Sequence, residues 1–346
     1  MRSYETGAFA AAGQGDYAYD MASINEWAFP SELRPTQDSV SFDLATALRS
    51  VVMLRADVPD DAFTAPTLGT QRAGNGIAIR VHGRLVILTI GYLITEAQSI
   101  WLTANDGQIV PGHVLGYDQA TGFGLVQPLG ALNLPMLERG SAASVRGGSR
   151  AIVVGHGGLE HSVNAQVIGK REFAGYWEYL LDEALFTAPP HPEWAGAALL
   201  DEDGLLIGVG SLLVQEAVSG EMFDANMFVP IDLLEPILED MMTIGAPSRP
   251  PRPWLGMYTT EIKNHVVIAG MAANGPAQLA GLESGDVVIE VAGRPVSGVS
   301  ELLRTIWSTG PAGTVIPMTV ARAAGQSTIE VRSANRDDYL KKPLRH

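Results

Sequence analysis

Between residues 51 and 209 the chain is a succession of short apolar runs, each closed by a glycine or an Asp-Gly pair. Gly76-Ile77-Ala78-Ile79-Arg80-Val81 alternates with period two, His82-Gly83 turns it, and residues 84–89 return. Ile100-Trp101-Leu102 leads to Asp106-Gly107, a pair that favours a tight hairpin. Further runs follow at 109–115, 124–126, 151–154, 165–168, 199–200 and 205–209. Many short strands at this spacing predict an all-β sandwich or barrel.

The pattern then changes. Residues 231–242 carry apolar side chains at helical spacing, with Pro236 tolerated only near a first turn or at a kink. Gly245-Ala246-Pro247-Ser248-Arg249-Pro250-Pro251-Arg252-Pro253 reads as a stiff linker, and residues 254–335 as a compact α+β unit. The organisation expected is therefore an N-terminal extension over 1–40, a β domain over 41–245, a Pro-rich linker over 246–253, a smaller domain over 254–338 and a basic tail over 339–346. The extension is rich in small residues yet carries Tyr4, Phe9, Tyr17, Tyr19, Trp27 and Phe29. It reads either as a disordered tail or as an arm docked by its aromatics. Lys341-Lys342 with Arg345 reads as a solvated tail.

Composition narrows the partners. A net charge of -15 argues against a nucleic-acid binder and against docking to an anionic membrane face. With no cysteine, disulfides, thiolate catalysis and cysteine-held metals are excluded. The start, Met1-Arg2-Ser3-Tyr4-Glu5-Thr6, lacks the apolar core of a secretory signal, and no stretch is long and apolar enough to span a membrane, so a cytoplasmic location is expected.

Three segments carry a family resemblance. Met227-Phe228-Val229-Pro230-Ile231-Asp232-Leu233-Leu234, followed by a helix, a linker and Trp254-Leu255-Gly256-Met257, is similar to the junction between protease and PDZ domain in HtrA-type serine proteases. Gly275-Pro276-Ala277-Gln278-Leu279-Ala280-Gly281-Leu282-Glu283-Ser284-Gly285-Asp286-Val287-Val288, with Ala292-Gly293-Arg294-Pro295-Val296, resembles that family's PDZ core. The strand pattern between residues 74 and 210 resembles its double barrel. The resemblance implies a mainly β fold: a chymotrypsin-like double β-barrel followed by a smaller α+β PDZ domain.

It also implies where a catalytic triad would lie. Tyr92 falls at the family's histidine, Gly122 at its aspartate and Ala195 at its serine. A methyl group has nothing to attack a carbonyl with, a phenol near pKa ~10 is a poor base at neutral pH, and glycine orients nothing. Glu193 stands where a glycine shapes the oxyanion hole, and its carboxylate opposes a developing negative charge. The expectation is a catalytically degenerate member, not an enzyme, serving as a protein-binding scaffold or accessory subunit. The alternative is a hydrolase with displaced machinery drawn from Ser211, Thr187, Glu193 or His191.

The resemblance places a peptide groove in the PDZ domain. Backbone amides of Trp254, Leu255, Gly256 and Met257 would hold a C-terminal carboxylate, the peptide would lie beside Thr259 and Thr260, and Leu303 and Ile306 would supply the apolar wall. The other reading is a PDZ domain packed against its own barrel. Expected partners are a protein or peptide C-terminus, a stable complex with another enzyme, and further copies of the chain; no cofactor is expected. Trp194 reads as a cleft plug, a partner grip or plain packing. Asp201-Glu202-Asp203-Gly204 lacks the further ligands of a calcium loop and reads as a hairpin turn, and His156 and His161 lack a third metal ligand. His82, His113, His191 and His265 read as isolated surface or hydrogen-bonded residues.

Overall fold

The computed structural model describes residues 27–218 and 221–342. Tyr4, Phe9, Tyr17 and Tyr19 of the extension, and Arg345 of the tail, lie outside the described residues. Before the first strand comes α1 (Leu44–Leu48), capped by the Asp43 carboxylate on Thr46 N.

The first barrel contains β1 (Val51–Asp57), β2 (Gln71–Val81), β3 (Arg84–Ile90), β4 (Ser99–Thr103), β5 (Ile109–Tyr117) and β6 (Phe123–Pro128), with α2 (Ala65–Leu68) between β1 and β2. It closes in the order β1-β2-β3-β6-β5-β4. The β2–β3 turn puts both His82 and Gly83 at positive φ, which matches the twist of the flanking strands.

The second barrel contains β7 (Arg150–Val154), β8 (Ser162–Gly175), β9 (Tyr179–Ala188), β10 (Ala198–Leu200), β11 (Leu206–Val218) and β12 (Glu221–Pro230). It closes as β10-β11-β12-β9-β8-β7. Side chains from both barrels share one apolar core, in which Leu54, Ile79, Leu88, Phe123, Phe186 and Met227 are almost fully buried. The helix expected over 231–242 is split. A 3-10 turn, Ile231–Leu233, precedes α3 (Glu235–Thr243), so Pro236 sits in the first turn, where its missing N–H costs nothing.

The linker is pinned rather than merely stiff. Arg249 donates twice to the Asp118 carboxylate, at 2.6 and 2.8 Å, and the Arg252 guanidinium lies 4.2 Å above the Trp307 ring. The PDZ domain follows, with β13 (Met257–Ile262), β14 (His265–Met271), α4 (Pro276–Leu279), β15 (Val287–Val291), β16 (Arg294–Pro295), α5 (Val299–Ser308), β17 (Val315–Arg322) and β18 (Gly325–Arg332). Its sheet runs β13-β14-β15-β17-β18, with β16 beside β15.

The tail differs from expectation. Tyr339 packs edge-on to Trp254, Lys341 N donates to Glu96 at 2.8 Å, and the Lys341 ammonium pairs with Asp61. One carboxylate beside the first barrel pairs with the Lys341 ammonium and another accepts its backbone N–H, so this part of the tail is docked rather than free in solvent. Trp27 and Phe29 are docked too: Phe29 is buried, and its ring and that of Trp27 meet His191 edge-on.

Candidate functional site

Two places gather chemistry: the cleft between the barrels and the groove of the PDZ domain. In the cleft, β3 ends at Ile90 and the chain makes a 3-10 turn over Gly91–Leu93 that carries Tyr92. A buried arginine holds this turn. Arg72 donates to the carbonyls of Tyr92 and Thr95, at 2.7 and 2.9 Å, and to the Thr64 hydroxyl. Burial lowers its pKa to about 10, still far above neutrality. The Tyr92 hydroxyl donates to Ser211 O at 2.8 Å, and burial pushes its pKa upward.

Gly122 is drawn to the same place, with its carbonyl accepting from Gly91 N at 2.6 Å. Its φ is +86°, a region that disfavours any side chain. A Cβ there would also sit 3.0 Å from the Tyr179 hydroxyl, which donates to Thr121 O at 2.8 Å. The space beside residue 122 is thus filled by a phenol from β9.

Ala195 completes the set. Its carbonyl accepts from Asn75 N at 2.7 Å, and Gly196 N donates to Gly210 O, one residue before Ser211. The structure therefore brings positions 92, 122 and 195 to one cleft, where their side chains are a phenol, a hydrogen atom and a methyl group. Trp194 is half-buried there and hydrogen-bonds with the Tyr92 side chain.

Asn75 is the hub that the motif reading missed. It is 2% exposed. Its amide nitrogen donates to the carbonyls of Glu193 and Ala195, and its Oδ1 accepts from His156 N at 2.7 Å. Only its flanking glycines, Gly74 and Gly76, hint from sequence at a crowded backbone. A Cβ at position 74 would lie 2.6 Å from Leu93 and 2.7 Å from Ala195 O.

The displaced groups named above are not assembled. His191 is fully buried, with Nδ1 accepting from Glu193 N at 3.0 Å and Nε2 facing His161 O at 2.9 Å. Both ring nitrogens are committed to backbone, and burial pulls its pKa down to about 4. Thr187 is buried with a hydroxyl that has no partner, and the Ser211 carbonyl is taken by Tyr92. Glu193 accepts from Trp27 Nε1 at 3.2 Å, and burial raises its carboxyl. Among the described residues, no group of three or more His, Asp or Glu could hold a metal ion.

The PDZ groove shows a different arrangement. Leu255 N donates to both oxygens of the Glu178 carboxylate at 3.2 and 3.1 Å, and Met257 N donates to Oε1 at 2.9 Å. The Gly256 amide also bonds this carboxylate. Thr259 N donates to Tyr176 O at 3.0 Å. Trp254, expected among the carboxylate donors, stands apart: its amide pairs with Ala334 O at 3.0 Å, and its ring meets those of Phe63 and Tyr339. That backbone pairing takes its N–H out of the loop's inner face.

Leu303 and Ile306 are fully buried in the PDZ core, and Leu180 from β9 packs in the same cluster. Glu178 is 7% exposed, and burial, opposed by the three amides and by the Arg336 charge, raises its pKa to about 7. It lies 77 residues from Leu255, and nothing local in its sequence marks it as a partner.

Comparison with known proteins agrees with this architecture. The chain matches the trypsin-like peptidase domain family over residues 74–209 and the PDZ domain family over residues 253–332. It is 26% identical over 281 residues to a probable periplasmic serine endoprotease DegP-like of Halomonas elongata, covering 78% of this chain and 57% of that protein. It is 21% identical over 344 residues to the serine protease Do-like HtrA of Bacillus subtilis, covering 90% of this chain and 75% of that one. The chain joins a trypsin-like peptidase domain to a PDZ domain, and its homologues are HtrA/DegP serine proteases.

Among solved structures, the HtrA-type protease AlgW with decapeptide shares this fold, with a TM-score of 0.51 and 20% identity over 88% of this chain and 100% of that one. The serine protease PepD of Mycobacterium tuberculosis is 27% identical over 319 residues, covering 85% of this chain and 65% of that protein. These matches correct one expectation. Tyr92, Gly122 and Ala195 led to the expectation that the chain is not an enzyme, yet the relatives it matches are named serine proteases. The physical reason is that side-chain identity at three positions is not a rate.

Proposed function

We propose that this HtrA-type chain works by holding protein segments, as a scaffold or accessory subunit whose PDZ domain captures a polypeptide C-terminus. One observation carries the reading: the amides of Leu255, Gly256 and Met257 converge on a carboxylate. Backbone donors cannot be lost by side-chain change, and three of them aimed at one point suit a fixed anion. A neighbouring strand edge, with Thr259 N directed outward to a carbonyl, lets a peptide add beside β13.

The test is fluorescence anisotropy with the whole chain and labelled decapeptides ending in leucine, titrated to millimolar protein. The free-carboxylate peptide binds at least 10-fold more tightly than its C-terminal amide; equal binding of the two refutes carboxylate capture. A second reading follows from the names of the relatives, namely hydrolysis of protein substrates at the cleft between the barrels. Incubation with unfolded casein tests it. Fragments that disappear when the chain is omitted support it, and intact casein after prolonged incubation removes it.

A further inference from the structure

The carboxylate in the PDZ groove belongs to the chain itself. We propose that the turn at 176–180 is an internal ligand of the groove, standing in for a polypeptide C-terminus and competing with any external one. The inference deepens the proposed function and rests on its reading of the groove as a carboxylate site.

Three contacts make the turn a ligand rather than a neighbour, and a fourth clamps the strands on either side of it. The Glu178 side chain takes the three amides of the loop at 255–257. Two residues earlier, Tyr176 O takes the Thr259 amide, so the turn also makes the hydrogen bond of an added strand. Two residues later, Leu180 is buried in the cluster that holds Leu255, Met257, Leu303 and Ile306. On the far side of α5, Ser300 and Arg304 bond Glu172 on β8, and Arg304 also pairs with Asp182 on β9. The turn therefore presents a carboxylate, a strand carbonyl and an apolar side chain at once.

Glu178 also has a backbone φ of +59°, which a non-glycine residue holds only when its surroundings fix it. Its carboxylate sits at the end of a side chain while the main chain runs on into β9. A true chain terminus would bring the same anion directly on its last residue, together with its own apolar side chain. The ligand that displaces the turn is therefore a free C-terminus with an aliphatic last residue, and an aromatic residue two positions earlier would match Tyr176 against Tyr258. Being tethered, the internal ligand competes at an effective concentration on the order of millimolar.

The experiment compares the whole wild-type chain with Glu178→Ala and Glu178→Gln. Hydrogen exchange at the Leu255, Met257 and Thr259 amides reads the internal ligand without any peptide. Anisotropy with a free-carboxylate decapeptide ending in Tyr-Trp-Leu reads the competition. In Glu178→Ala the three amides exchange at least 10-fold faster and the peptide binds at least 10-fold more tightly, with Glu178→Gln between the two.

Unchanged exchange in Glu178→Ala overturns the internal ligand, and unchanged peptide affinity overturns the competition. Faster exchange with no binding of either free or amidated peptide overturns C-terminal capture itself and leaves the turn as a structural latch. Should Glu178→Ala not fold by circular dichroism, Arg304→Ala loosens the same docking from outside the groove. It then gives peptide binding about 2- to 5-fold tighter, and no change there counts against the inference.

Discussion

Raising the pH from 5 to 8 loosens the hold of the PDZ domain on Glu178. The carboxyl has an ordinary pKa of 4.5, and burial in the docked turn raises it to about 7. The docked state thus binds a proton more tightly than the undocked one. Docking is strongest below the ordinary value and is weakened as pH rises through about 7. A displacement of this size corresponds to about 3 kcal/mol, or a few hundred-fold in the docking equilibrium.

Two features oppose burial: the three amides, which favour the ionised form, and the Arg336 charge. The titration therefore reports which wins. The assay is the carbon-13 chemical shift of the Glu178 carboxyl, assigned by its loss in Glu178→Gln and followed from pH 3 to 9. Exchange of the Leu255 and Met257 amides, corrected for base catalysis, is measured in parallel. A midpoint near 7 with exchange rising beyond it is expected. A midpoint at or below 4.5, or the same rise in Glu178→Gln, would refute the reasoning.

Other outcomes follow from the cleft. Gly122→Asp, which installs the residue type that the family resemblance implies at this position, should lower stability by about 2 kcal/mol, because it forces a side chain at positive φ against the Tyr179 hydroxyl; thermal unfolding checks it, and a neutral or stabilised variant contradicts it. Asn75→Ala strips partners from Glu193 O and His156 N, and should cost about 2–4 kcal/mol in urea unfolding. Away from the cleft, Arg171 on β8 pairs with Glu216 on β11 and lies 3.8 Å over the Phe186 ring, and Arg171→Ala should cost about 1 kcal/mol in the same assay because the guanidinium is half exposed. His191→Gln should flatten the acid limb of the stability curve. The buried ring stays neutral down to about 4 while the unfolded one protonates near 6.5, so wild-type stability falls as pH drops through that window.

The double barrel and the PDZ domain were legible because their signals are local. His82-Gly83 turns a hairpin by its own backbone preference, and Pro236 fits only a first turn, which is where α3 begins. Tyr92, Gly122 and Ala195 were singled out through spaced motifs. Their environment was not: Tyr179, which fills the space beside Gly122, is separated from Thr121 by 58 residues. Lys341 illustrates the same limit. A short basic tail reads as solvated until the fold brings Asp61 and Glu96 beneath it. Glu178 is the clearest case, since a glutamate after Gly175-Tyr176-Trp177 reads as an ordinary turn residue until the PDZ loop folds over it.

Adjacent residues of β9 and its turn connect the two sites. Glu178 enters the PDZ groove, Tyr179 places its hydroxyl on Thr121 O beside Gly122, and Leu180 returns to the PDZ core. The side chains of Glu178 and Leu180 therefore anchor the segment on both sides of Tyr179, and this anchoring aims the phenol into the cleft. Burial pushes the Tyr179 pKa upward, so it acts there as a neutral donor and not as a base. The absence of a side chain at residue 122 and the carboxylate in the groove belong to one packing arrangement. A side chain at 122 would press on the Tyr179 hydroxyl, at the end of a residue whose two neighbours hold the PDZ domain.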